Sequence, residues 1–132
     1  PAMFASYEAA VAARANGFLA VELGAAALLA ERGVSECEQG FYWHNDQRLK
    51  AASELKLSSD NLAGFLGAIT APTLLIEAQQ GVLAGRERER QLFNDLKHLR
   101  SEVLPGGHHL HLEQQAPLVA SAIQQFIAES PL

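Results

Sequence analysis

The chain has 132 residues, ten Lys+Arg against fifteen Asp+Glu, and a formal net charge of −5 with neutral histidines. With 48% apolar and only 19% charged residues, it is expected to be a single globular domain rather than a disordered chain. The acidic balance argues against a general nucleic-acid binder and against a membrane surface, since both need an excess of cations on one face.

The longest apolar stretch, 17–30, is broken by Glu22 and is shorter than the roughly 20 residues that span a bilayer, so no transmembrane helix is expected. Cys37 stands alone, which rules out an internal disulfide framework and suits a reducing compartment. A cytoplasmic location is the expectation. Pro1 opens the sequence without the charged segment and cleavage site of a secretory signal, and is read as the mark of a processed or partial chain.

Ser6 is placed to cap a first helix from Tyr7 to about Asn16, closed by Gly17; a second helix is expected from about Val21 to Arg32, closed by Gly33. Both are rich in alanine, the strongest helix former, and Leu19, Val21, Leu23, Leu28 and Leu29 are expected to bury one side. From Ser35 to Leu57 the pattern breaks into Gly40, the aromatic run Phe41-Tyr42-Trp43 and a polar stretch, which reads as irregular or briefly extended. Ser58-Ser59-Asp60 is a capping cluster for a third helix with Leu62, Phe65, Leu66 and Ile69 at helical spacing.

From Ala71 the character changes. Thr73-Leu74-Leu75-Ile76 is the continuous apolar run of a strand covered on both faces. Gly81 ends it, and Gly85 opens an amphipathic helix with Leu92, Phe93, Leu96 and Leu99 on one face; its charged start, 86–90, reads as a solvated turn. Glu102-Val103-Leu104-Pro105 is a second short strand, and Pro117 suits the first turn of a closing helix whose stripe is Val119, Ile123, Phe126 and Ile127. Strand, helix, strand, helix demands a parallel pair. Two parallel strands leave their inner edge unpartnered, so 71–132 is read as the end of a larger sheet completed from elsewhere.

In this order, Ala71-Pro72-Thr73-Leu74-Leu75-Ile76, the helix, Glu102-Val103-Leu104-Pro105, Gly107-His108 and the closing helix resemble the C-terminal portion of the α/β-hydrolase superfamily. The resemblance implies two terminal parallel strands with flanking helices in 71–132, and His108 as the catalytic histidine. The first part, 1–70, is similar to the mostly helical cap of the serine hydrolase-like group through Gly40-Phe41-Tyr42-Trp43 and Asp46-Gln47-Arg48-Leu49. On that likeness Phe41, Tyr42 and Trp43 shape an apolar substrate pocket together with Val82, Leu83 and His109, although aromatic side chains serve core packing equally well.

Acyl transfer by such an enzyme needs a nucleophilic oxygen, an imidazole and an orienting carboxylate. No serine has the G-x-S-x-G flanks of a nucleophile elbow. Gly81 occupies the position where the family most often has its acid, and Glu77 is the one carboxylate nearby. Nucleophile and acid are therefore expected outside this chain, in an N-terminal half present as a separate chain or missing segment. His108, His109 and His111 could also offer nitrogens to a metal ion, but no second cluster of ligands accompanies them; no metal and no cofactor are expected. The leading reading is part of an α/β-hydrolase that cleaves a small ester, amide or related apolar substrate. The alternative is a non-catalytic hydrolase-like protein with a degenerate triad that binds a ligand or partner, and self-association across the exposed sheet edge is a further possibility.

Overall fold

The computed structural model of the protein describes residues 1–130. By compactness the chain divides into Pro1–Glu54 and Leu55–Leu132. This division does not coincide with the 70/71 boundary drawn from the sequence, because the helix after Ser58 packs with the second unit.

The first unit contains β1 (Met3–Phe4), α1 (Tyr7–Ala15), α2 (Leu23–Gly33), β2 (Val34–Cys37) and β3 (Gly40–Trp43), followed by a 3-10 turn at Gln47–Lys50. The Ser6 hydroxyl accepts the Ala9 amide at 3.1 Å and starts α1 as expected. Asn16 is the C-cap and Gly17 follows it, as expected, but the left-handed residue of this connection is Leu19, at φ 53°, rather than the glycine.

Gly33 does not close α2. It is the helix's last residue, and the chain runs straight into β2. A Cβ on Gly33 would lie 2.5 Å from Cζ3 of Trp43, so this glycine admits the indole rather than supplying a turn. The expected leucine stripe is not the core. Leu23 and Leu28 are exposed, while Ala10, Val11, Val21, Ala25, Ala26 and Ala30 are buried. Small side chains let α1 and α2 approach closely, so the buried interface falls on alanines and leaves the longer leucines outside.

The segment read as irregular or briefly extended supplies two short strands to an antiparallel sheet in the order β1-β3-β2, with Val34 opposite Trp43 and Cys37 opposite Gly40. Gly40 has a φ of 118°, and any Cβ there would run into the Phe4 carbonyl. The first unit is thus a helix pair with a small three-stranded sheet, helical in the larger part as expected.

The second unit contains α3 (Ser59–Gly67), β4 (Thr73–Gln80), α4 (Glu87–Gln91), a 3-10 turn at Leu92–Asp95, β5 (Leu99–Gly107) and α5 (Ala116–Glu129). Ser58 and Asn61 form a capping box at the start of α3. The expected α3 stripe remains largely open to solvent, with Phe65 at 63% exposure. The amphipathic helix expected from Gly85 is one short turn of α-helix that tightens into 3-10, and Leu99 already belongs to β5.

β4 and β5 are parallel, in register from Thr73 opposite Leu99 to Ala78 opposite Leu104, with an irregularity before Gln80 reaches Gly107. Both strands are longer than the sequence suggested. In α5 the buried residue is Ala122, with Val119 and Phe126 half-buried beside it. Ile123 and Ile127, expected in the core, are exposed. Among the described residues each of these two strands pairs only with the other, so both outer edges carry backbone groups without a sheet partner.

Candidate active site

The chain leaves β5 through Leu104-Pro105-Gly106-Gly107, and His108 is the first residue beyond the strand. Gly106 has a φ of 118°, a conformation that strongly favours glycine. A Cβ there would also fall 2.9 Å from Cδ of Gln115, so the Gln115 carboxamide lies over the Gly106 backbone from the start of α5. Glu113 approaches the next residue: its Oε2 is 3.5 Å from where a Gly107 Cβ would be. The loop between them is folded by the Leu112 amide donating to the His109 carbonyl at 2.8 Å and the Ala116 amide donating to the Glu113 carbonyl at 3.0 Å. Two glycines thus let the side chains of Gln115 and Glu113 pack against the stem from which His108 projects.

His108 lines a cavity of about 150 Å³ with Ile76, Ala78, Val82, Leu83, Leu110, His111 and Val119. It is formed by the carboxyl half of β4 and the loops after both strands, the end at which open α/β sheets bind their ligands. Val82, Leu83 and His108 therefore come together. His109, expected in the pocket, is not part of this lining; its ring stands 5.1 Å from that of His108 and 6.3 Å from that of His111. Leu110 and His111 take its place. Alternation of loop side chains around a buried Leu110, 5% exposed, was the signal available for that. Phe41, Tyr42 and Trp43 lie on β3 in the first unit.

The carboxylates are disposed as follows. Glu77 is 7% exposed and also borders the cavity. Its Oε1 accepts from Nη2 of Arg90 at 3.1 Å, so its charge is matched by a guanidinium from α4. At Gly81 the turn is tight, and a side chain there would crowd it. The Gly81 amide donates to the Ala78 carbonyl at 3.0 Å, and a Cβ would meet Cβ of Ala78 at 3.0 Å and its carbonyl oxygen at 3.2 Å. Among the described residues no group of three His, Cys, Asp or Glu side chains is arranged to hold a metal ion, and no helix is long and apolar enough to cross a membrane. Chemically, the arrangement offers an imidazole beside an apolar recess, able to take and return a proton when a reacting group is brought within hydrogen-bond reach.

Comparison with solved structures shows where this architecture recurs. Hypothetical protein PA1622 from Pseudomonas aeruginosa PAO1 matches 97% of the chain at 37% identity and a TM-score of 0.89. A thioesterase domain from the curacin biosynthetic pathway matches 93% of it at 21% identity and a TM-score of 0.73. E-2-(acetamidomethylene)succinate hydrolase matches 96% at 18% identity and a TM-score of 0.72. The chain has the fold of part of an α/β-hydrolase. It spans less than half of each of these proteins: 46% of the Pseudomonas protein, 44% of the thioesterase domain and 47% of the succinate-derivative hydrolase. No protein-family model and no curated protein matches the chain.

Proposed function

We propose that this chain is the C-terminal part of a serine hydrolase-like α/β-hydrolase, that His108 is its general base and then general acid, and that residues 1–70 form its lid. The observation that carries the reading is the placement of His108. It stands directly after the second of two parallel strands, on a stem packed against Gln115 and Glu113, and borders a recess formed by the second half of β4 and the loops that follow both strands. The nucleophilic serine and the orienting carboxylate belong to the N-terminal half of the same hydrolase, which pairs with the free edge of β4. The tight turn at Gly81 and the commitment of Glu77 to Arg90 both favour an acid from that half.

The serine oxygen attacks the acyl carbon while His108 takes its proton, and His108 returns the proton to the leaving group; water then releases the acyl enzyme by the same exchange. The substrate is a small ester, amide or related compound with an apolar acyl part, consistent with the aliphatic lining of Val82, Leu83 and Leu110. The thioesterase and hydrolase among the structural neighbours are in keeping with that class. The enzyme works in the cytoplasm.

The test uses the assembly isolated from its source. A fluorophosphonate probe should label a serine outside these residues, and His108→Ala should lower kcat/KM for p-nitrophenyl butyrate by about 10²–10⁴-fold. Unchanged hydrolysis in His108→Ala would remove this histidine from the mechanism. The departure at Gly81 favours a second reading, a non-catalytic hydrolase-like binding protein; it predicts neither labelling nor turnover, with ligand binding retained.

A further inference from the structure

The first unit contains an open cleft of about 610 Å³ whose walls include Arg14, Leu29, Arg32, Trp43 and Asn45. We infer that this cleft is a binding site for a small amphiphilic anion, its phosphate or carboxylate group held by Arg14 and Arg32 and its apolar part laid against Trp43 and Leu29. The inference does not depend on the hydrolase reading.

The aromatic wall is fixed in position. Nε1 of Trp43 donates to the Ala10 carbonyl at 3.1 Å, and the opposite edge of the ring sits where Gly33 has no side chain, with Cζ3 and Cε3 at 2.5 and 2.8 Å from the missing Cβ. The indole is therefore anchored at both ends instead of packing loosely on the helix pair.

The cations are placed by the helices. Arg14 lies in the last turn of α1 and Arg32 in the last turn of α2, so each guanidinium is favoured by the negative end of a helix dipole. That structural benefit accounts for a single arginine at each terminus. It does not account for both bordering one cleft, in a unit whose carboxylates outnumber its cations.

Arg14 is half-buried and donates from Nη1 to the Leu19 carbonyl at 3.1 Å, an arrangement made with Leu19 in the left-handed region. Among the described residues no carboxylate pairs with the Arg32 guanidinium; its neighbour His44 meets the Arg32 backbone carbonyl, at 2.8 Å from Nε2. An oxyanion placed between two such groups gains charge-assisted hydrogen bonds, and the fixed indole and Leu29 supply apolar contact for an attached chain.

Trp43 is the only tryptophan in the sequence, so intrinsic fluorescence of the intact chain reports on this cleft directly. Octyl phosphate below its micellar range is the probe, with octanol and octyltrimethylammonium as neutral and cationic counterparts. The expected result is a saturable change with octyl phosphate, weak or no response to the counterparts, and a dissociation constant at least tenfold higher in Arg32→Gln. Arg32→Lys should recover part of the affinity, and Arg48→Gln, which removes a cation outside the cleft, should leave it unchanged. Four outcomes overturn the proposal: an equal response to octanol, equal affinity in Arg32→Gln, no response at all, or a response only to phosphatidylglycerol vesicles, which would make the face a membrane contact. Hydrolysis is not measured, so a negative result here leaves the role of His108 untouched, and the reverse also holds.

Discussion

The contact between Gly33 and Trp43 sets up a test in which two substitutions of the same kind in one helix should act with opposite sign. Replacing glycine by alanine inside a helix ordinarily stabilises by about 0.5–1 kcal/mol. Gly24, near the start of α2, has nothing within 4 Å of an added Cβ, so Gly24→Ala should follow that rule. Gly33, at the end of α2, should not. Its Cβ would be 2.5 Å from an aromatic carbon, closer than real Cβ contacts occur, and the ring cannot withdraw without giving up the Nε1 hydrogen bond to Ala10.

Overpacking of this kind costs about 1–3 kcal/mol, and the lost hydrogen bond about 1 kcal/mol. Against a helix gain reduced by the terminal position, Gly33→Ala should be less stable by about 1–3 kcal/mol. Urea unfolding followed by Trp43 emission reads the first unit, and far-ultraviolet circular dichroism reads the whole chain. A Gly33→Ala protein as stable as Gly24→Ala would refute both the packing argument and the claim that the indole is held rigidly.

Three further outcomes are expected. Arg90→Leu should destabilise by roughly 1–3 kcal/mol, because it leaves the Glu77 carboxyl, 7% exposed, without its guanidinium, and the half-exposed partner moderates the full cost of a broken buried pair; Glu77→Gln in the same background should recover most of the loss in urea unfolding, and equal stability of the single and double variants would contradict it. Gly81→Asp should lower stability in that assay and leave any hydrolysis by the assembly no higher than the parent, since a Cβ there crowds the Ala78 turn at 3.0–3.2 Å; a gain in kcat would show instead that the carboxylate is tolerated and used. The Gln125 amide, and with it the Arg100 guanidinium, holds the Glu129 carboxyl below its ordinary 4.5. Its contribution to folding is therefore present above the unfolded value and is lost as pH falls through the folded one, and nuclear magnetic resonance titration should find its midpoint below 4.5 and moved upward in Gln125→Ala.

The parallel pair and its following helix were legible because their signals are local and redundant. Thr73-Leu74-Leu75-Ile76 is continuously apolar, Glu102-Val103-Leu104-Pro105 precedes a glycine pair, and Pro117 sits in the first turn of α5. The position of His108 at the exit of β5 was legible for the same reason, since it depends on the strand it follows. The hairpin of β2 and β3 was not. Its loop is Glu38-Gln39 without the Asn-Gly or Asp-Gly signal, and Phe41-Tyr42-Trp43 shows no alternation because all three are half-buried in a small sheet between other elements.

Burial in the helices was misjudged through size. Hydropathy ranks leucine above alanine, but close approach of α1 and α2 selects small side chains, so Ala25, Ala26 and Ala30 are enclosed while Leu23 and Leu28 remain outside. Gly33 shows the same limitation from the other side. Read alone, a glycine after a helical run signals a left-handed cap. Its actual reason is Trp43, distant in sequence and brought opposite Val34 by a strand register that the local pattern does not encode. Residues whose roles depend on a neighbour along the chain could be read from the sequence, and residues whose roles depend on a partner across the fold could not.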